Sequence, residues 1–368
     1  MFKFHMPTKI LVGENCVLEN GSALALGSHA LIVTGKSSGK KSGALDDVIK
    51  VLENLKIPYH VYDKIENNPE INDMARGGEF ARECGCDFII AIGGGSPLDA
   101  AKAIAVYAVN EPKEGTDFEL YDIFKGTYKN KPLPMVAIPT TAGTGSEVTP
   151  YSILTLHKEQ TKRSFSCTDT FFKVAFIDGR YTLGLPLQVA RNTAVDAMCH
   201  LIEGYTNKKA SSGSDYMALE GLNIIGKHLN ALENGDFDVD ICTELLWAST
   251  LGGIVISQTG TTIVHSMGYS LTYFKDIPHG HANGFLLYEY LKRVDLARVK
   301  NCLDALGLDS LDALKEYLEK ILPRVYNFSE KELLEWAEIS ILAKNVASCP
   351  YPVTKELEIE IYKNSLLK

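Results

Sequence analysis

The sequence predicts an α/β N-terminal domain on a mostly parallel sheet, residues 1–180, followed by an all-α C-terminal domain, residues 181–368. Three observations carry this. Short apolar runs alternate with helical segments up to about residue 178. Beyond Asp178 the strand signal stops and helical patterning takes over. One apolar run, Phe88-Ile-Ile-Ala-Ile92, passes through three glycines straight into an Ala-rich segment, the strand, turn and helix order of a parallel sheet.

Taken in order, the candidate strands are Ala30–Thr34, Tyr59–Tyr62, Phe88–Ile92, Met135–Ile138 and Val174–Ile177, with helices such as Leu45–Leu55 and Ile71–Glu83 between some of them. The turn Leu183-Gly-Leu-Pro186 is the expected hinge between domains. After it come the helical segments Ser214–Leu232, Ser310–Ile321 and Ser329–Ala343. The most apolar later stretch, Leu245–Leu271, carries Gln258, His265 and many Thr and Ser. It is expected to be a buried helix interrupted by Gly252, Gly253 and Gly260, not a membrane span. No internal repeat or low-complexity segment stands out.

Chemistry gathers first at Gly93-Gly94-Gly95-Ser96-Pro97-Leu-Asp99. Glycines there let backbone approach a ligand, and the free N–H groups and dipole of the helix start favour a pyrophosphate. This is not the G-x-G-x-x-G fingerprint. A second apolar strand ends in Pro139-Thr140-Thr141-Ala-Gly143-Thr144-Gly145-Ser146-Glu147-Val-Thr149, a hydroxyl-rich loop suited to phosphate, ribose and carboxamide. Two such loops after buried strands fit ligand binding at the carboxyl ends of an open sheet. A third loop, Gly35-Lys36-Ser37-Ser38-Gly39-Lys40-Lys41, follows Ala30–Thr34 where an NAD-selective protein commonly places an acid against the ribose 2′-hydroxyl. No Asp or Glu follows until Asp46, so space and positive charge favour NADP(H) over NAD(H).

In the second half, Asp196 and His200 stand four apart in a stretch of helical composition, with Cβ atoms roughly 5–6 Å apart on one helix face. His265 follows a long apolar run and His279 follows Pro278. One carboxylate and three imidazoles suit a single divalent cation, Fe(II) or Zn(II), at about 2.0–2.2 Å.

In these motifs the chain resembles the iron-containing (group III) alcohol dehydrogenase family, from Pro7-Thr8 to roughly residue 290. The resemblance implies a dehydroquinate synthase-like architecture, with NAD(P) on the α/β domain, metal on the helical domain and the active site in the cleft between. It implies Asp196, His200, His265 and His279 as metal ligands, Gly94, Gly95 and Ser96 at the pyrophosphate, and Thr140, Thr141 and Thr144 near the nicotinamide. Asp99, Thr149, Lys162 and Asn68 fall where the family places cofactor neighbours. Many relatives carry a further His four residues after the third ligand. Here that position is Tyr269; the proton relay then runs through its phenol, through water or through the cofactor ribose, and His281 is an extra imidazole, expected to be exposed and idle unless it takes that role. Asp178-Gly179 and Gly280-His-Ala-Asn-Gly284 also depart from the family pattern without removing a ligand.

The expected reaction is hydride transfer between nicotinamide C4 and a metal-held alcohol or carbonyl. A glycerol-phosphate dehydrogenase or dehydroquinate synthase-like lyase is the alternative on the same fold, but needs basic residues in the cleft, and Lys275 is the main one in the metal region. A non-catalytic metal or nucleotide binder is the other. The composition, 45% hydrophobic and 23% charged with formal charge −9, fits a soluble globular protein and argues against general nucleic-acid binding. Eight scattered cysteines without a CxxC pair read as reduced thiols, and the N-terminal segment has no apolar core of signal-peptide length. Cys199, beside His200, points off the ligand face. The expectation is a cytoplasmic homodimer or larger assembly acting on a small-molecule alcohol or aldehyde, with no nucleic-acid or membrane partner.

Overall fold

The computed structural model describes residues 2–113, 115, 118–159 and 161–367; Met1 and Lys368, the outer ends of the two expected domains, lie outside them. Among the described residues the strands are β1 (Lys9–Val12), β2 (Ala30–Gly35), β3 (Tyr59–Ile65), β4 (Phe88–Gly93), β5 (Met135–Pro139), β6 (Ser152–Leu156), β7 (Thr161–Phe165) and β8 (Val174–Ile177). Among them run α1 (Cys16–Glu19), α2 (Ser38–Lys41), α3 (Ala44–Leu55), α4 (Ile71–Glu83) and α5 (Gly95–Val109). From Leu187 onward the described regular elements are helical: α6 (Leu187–Thr206), α7 (Ser212–Lys227), α8 (Leu229–Asn234), α9 (Val239–Thr259), α10 (Ile263–Lys275), α11 (His279–Leu291), α12 (Leu296–Leu306), α13 (Leu311–Ile321), α14 (Glu330–Ser340) and α15 (Lys355–Leu366).

Six strands form one parallel sheet in the order β1-β8-β5-β4-β2-β3. Its central strands are almost entirely apolar, Thr34 of β2 being an exception, because helices cover both faces. Leu31, Val33, Ile89 and Ala91 join Met74 of α4 and Ile104 of α5 in one core, while Ala30, Ile32, Ile90 and Ile92 join Val48 and Leu52 of α3 in the other. Each Val, Leu, Ile or Met among them contributes roughly 1.5–3 kcal/mol by burial. After β2 the chain moves outward to β3, then returns to the other side of β2 for β4. The strand order therefore reverses between β2 and β4, and the crevice of an open parallel sheet opens at their carboxyl ends, Gly35 and Gly93.

Several elements differ from the sequence reading. The edge strand β1 and the antiparallel hairpin of β6 and β7 were not foreseen: β1 lies at the sheet edge with its four residues partly buried or exposed, and Thr-Lys-Arg-Ser-Phe in β7 shows no apolar run. The expected Ser214–Leu232 helix is two, broken at His228. Gly252 and Gly253 do not interrupt α9; the helix runs through them and ends at Gly260, whose φ is +75°. By length and composition α9 could cross a membrane, but 67% of its apolar window is buried inside the protein, in the core shared with α6 and α7.

Candidate active site

Helix α6 presents Asp196, His200 and Glu203 at spacings of four and seven residues, one stripe of a helix. His265 lies in the first turn of α10 and His279 is the first residue of α11. Between them Asp276 adopts the left-handed conformation (φ 57°) and turns the chain back. Gly280 then lets α11 reach α6: a Cβ there would stand 1.9 Å from the Asn192 carbonyl oxygen and 2.8 Å from Asp196 Cβ.

This brings one donor atom each of Asp196, His265 and His279 within 4.8 Å of one another. His265 Nε2 is 3.6 Å and His279 Nε2 3.9 Å from the same Asp196 oxygen. His200 is outside that trio by donor spacing but adjoins it, its ring stacked on His265 at 4.5 Å with 19° between planes. Its Nδ1 donates to the Gly143 carbonyl oxygen at 3.2 Å, which leaves Nε2 with the lone pair. His265 Nε2 is buried without a hydrogen-bond partner. A buried imidazole nitrogen with no partner, beside a carboxylate and a second imidazole, is a donor set that fits a divalent ion such as Fe(II) or Zn(II).

Two supporting residues escaped the sequence reading. Glu203, fully buried, accepts from His265 Nδ1 and from Thr262 N (2.8 Å), so it orients the imidazole as carboxylates behind metal-binding histidines do. Its place seven residues after Asp196 was the available signal. Asn283, four after His279, donates to Asp196 Oδ1 at 3.0 Å. Burial pushes the Asp196 carboxyl up, but His200, His279 and His265 together outweigh it and hold it below the usual range. Burial lowers His279 to about 3. For His265, burial works downward, and Glu203 and Asp196 overcome it to give about 10.

Tyr269 stacks on His279 at 5.3 Å and 10°; burial, with Asp196, Asp99 and Glu203 adding, raises its phenol so that it stays protonated. His281 is not exposed, as expected, but buried. It points away from the trio, against Phe285 (4.5 Å) and Tyr326 (5.6 Å), because two helical residues turn it to another face from His279. Lys275, the expected cation of the metal region, is paired with Glu332 at 2.6 Å. A cation within electrostatic reach of Asp196 is Lys162, brought by the β6–β7 hairpin. Burial lowers it to about 8 against Asp99 and Asp196, and its Nζ donates to Asn68 Oδ1 at 2.7 Å. Cys199 is fully buried, and all eight cysteines are free thiols.

At the carboxyl ends of β4 and β5 the two loops interlock. A Cβ on Gly94 would lie 2.9 Å from Thr141 Oγ1, and one on Gly95 would lie 2.7 Å from Thr144 Cγ2. Ser96 stands beside them, partly exposed at the start of α5, while Thr140 is buried just past β5. Asp99 and Thr149 spend their polar atoms on the loop itself. Asp99 accepts from Ser146 Oγ (2.6 Å) and Ile153 N (3.0 Å), and Thr149 Oγ1 is 3.4 Å from Lys102 Nζ. Lys102, unassigned by sequence, is fully buried and donates to Ser146 O (2.9 Å), Ser146 Oγ (2.7 Å) and Tyr151 O (2.6 Å). At the other loop Gly35 ends β2, Ser37 and Ser38 begin α2, and Lys36 pairs with Glu66.

The hydroxyl loop also reaches α6 and α9. Gly143 bonds His200, Glu147 accepts from Thr250 Oγ1 of α9 at 2.7 Å, and Gly145 packs backbone to backbone on Gly253. One loop thus touches both the glycine turn and the imidazole cluster.

Residues 7–179 match the family model described as iron-containing alcohol dehydrogenase, and residues 190–366 match that of the Fe-containing alcohol dehydrogenase family, C-terminal. Alcohol dehydrogenase 4 of Schizosaccharomyces pombe is 33% identical over 77% of this chain, a stretch that spans 66% of the yeast protein. The NADPH-dependent butanol dehydrogenase of Clostridium saccharobutylicum is 31% identical over 79% of this chain and 74% of its own length. The crystal structure of an iron-containing alcohol dehydrogenase from Thermotoga maritima superposes with a TM-score of 0.90 at 37% identity, covering 100% of this chain and 99% of that one.

Proposed function

The chain belongs to the iron-containing alcohol dehydrogenase family, and on that premise we propose that it is a metal-dependent, NAD(P)-linked alcohol dehydrogenase or aldehyde reductase. The observation that carries this is the loop Pro139–Thr149, which packs on the glycine turn through Thr141 and Thr144 and on metal-side His200 through the Gly143 carbonyl. Dinucleotide and metal chemistry therefore meet in one cleft.

Asp196, His200, His265 and His279 are the proposed ligands, and a divalent ion there supplies Lewis-acid polarisation of the substrate oxygen. Glu203 keeps the His265 proton on Nδ1, and Gly143 does the same for His200, so both present Nε2. Gly94, Gly95 and Ser96 receive the pyrophosphate, and Thr140, Thr141 and Thr144 hold the nicotinamide by their hydroxyls. Asp99, Thr149, Lys162 and Asn68 shape the walls. Tyr269 is the proposed proton partner of substrate oxygen or water, a reading supported by its stacking on His279 and by the burial that keeps its phenol protonated. Gly35 and Lys36, with Ser37 and Ser38, favour NADP(H). The NADPH requirement in the name of the clostridial relative supports that preference. A short-chain alcohol or aldehyde substrate, a homodimeric or larger assembly and a cytoplasmic location belong to the same proposal, the last supported by the eight free thiols.

The test is aldehyde-dependent loss of NADPH absorbance by protein loaded with Fe(II) or Zn(II). Turnover is expected to vanish on chelation and in His265→Ala. Full activity of His265→Ala with no bound metal refutes the assignment.

A further inference from the structure

We propose that Glu66 sets the balance between NAD(H) and NADP(H), acting against Lys36 as the acceptor of the ribose 2′-hydroxyl. This rests on the dinucleotide reading above and adds the residue that decides which dinucleotide is preferred. An acid for that hydroxyl ordinarily stands just after the strand that borders the crevice, and here β2 ends in Gly35 with no acid following it. The neighbouring strand supplies one instead. Val33 pairs with Tyr62, but Gly35 pairs with Ile65, so β3 carries one extra residue in the register. Without that bulge Ile65 would face Lys36. With it Glu66 does, and the two side chains form an ion pair.

The pair stands at the crevice. The Cβ position of Gly35 is 3.9 Å from Pro97 Cγ in the first turn of α5, the helix whose free N–H groups suit a pyrophosphate, so Lys36 and Glu66 lie on the adenosine side of that turn. Both side chains are well exposed, at 68% and 60%, and an exposed ion pair opens easily. A 2′-phosphate draws Lys36 away and leaves the Glu66 carboxylate facing a near-dianion. A 2′-hydroxyl donates to that carboxylate while the pair stays closed. Lys36 therefore favours the phosphorylated dinucleotide and Glu66 the other, so removal of either tips the ratio in opposite directions.

Calorimetric titration of the full-length protein with ADP-ribose and with 2′-phospho-ADP-ribose tests this without any chemistry at the metal. Lys36→Ala is expected to lower the preference for the phosphorylated ligand about tenfold. Glu66→Gln is expected to raise it roughly threefold, more at low salt, with unchanged thermal unfolding in both. If both ligands bind but Glu66→Gln leaves the ratio unmoved or lowers it, the role of Glu66 is overturned alone. If neither ligand binds the parent protein, the dinucleotide reading falls with it.

Discussion

Replacing Glu203 by Gln changes a few atoms and should disable a metal ligand without unfolding the protein. One Glu203 oxygen accepts from Thr262 N at 2.8 Å and from the Thr262 hydroxyl, and the other accepts from His265 Nδ1. A Gln keeps its amide oxygen on the Thr262 donors, because turning it over loses the bond from Thr262 N and sets N–H against N–H, although the Thr262 hydroxyl could accept instead. Its NH2 then faces His265 Nδ1, which must accept. The imidazole proton moves to Nε2, the atom 3.6 Å from Asp196 Oδ1 that is assigned to the ion. Loss of such an orienting carboxylate lowers metal affinity about 10- to 100-fold, or about 1.4–2.7 kcal/mol. The fold should keep its shape, since the amide fills the same volume and retains the bond from Thr262 N, while the loss of charge opposite His265 costs some stability in the metal-free protein. Glu203→Ala would strand Thr262 N and His265 Nδ1 and destabilise by about 3 kcal/mol. Competition with a chelator measures the affinity and thermal unfolding of the metal-free protein measures the fold. If Glu203→Gln binds metal within about twofold of the parent, Glu203 does not set the His265 tautomer.

Gly95→Ala places a Cβ 2.7 Å from Thr144 Cγ2; ADP-ribose affinity should fall about tenfold while metal affinity, read by chelator competition, holds. Gly253→Ala is harsher, because its Cβ would stand 2.3 Å from the Gly145 carbonyl oxygen and backbone cannot rotate aside. Both metal and ADP-ribose affinities should fall together, and retention of either would mean the loop does not join the two sites. Glu358 is fully buried with Oε1 unpartnered, and burial raises its pKa to about 7 against the Ser340 hydrogen bond. A raised carboxyl contributes stability that is complete below the unfolded value of 4.5 and lost as pH rises to about 7, up to about 3 kcal/mol. Glu358→Gln cannot ionise, so denaturant unfolding should show it more stable than the parent at about pH 8 and less pH-dependent from about 5 to 7; a parallel profile refutes the buried titration.

The sequence by itself determined the parts encoded within a few residues. The all-apolar runs of β2, β4 and β5 announce strands covered on both faces, and the shift to helical patterning after Asp178 separates sheet from bundle. Gly93-Gly94-Gly95 marks a tight strand-to-helix turn, and the four-residue step from Asp196 to His200 marks one helix face. Tertiary structure alone decided what depends on residues far apart in the chain. It fixed the pairing of β1 with β8 and of Lys36 with Glu66. It also fixed the bond from Gly143 to His200 and the approach of α11 to α6 at Gly280. Glu203 sat on the readable stripe of α6, yet its partner His265 is 62 residues away. Periodicity and backbone freedom are local properties and leave a local trace. Which distant groups meet is settled only when the cores close, because side-chain packing and bulges such as the one in β3 set the register between elements.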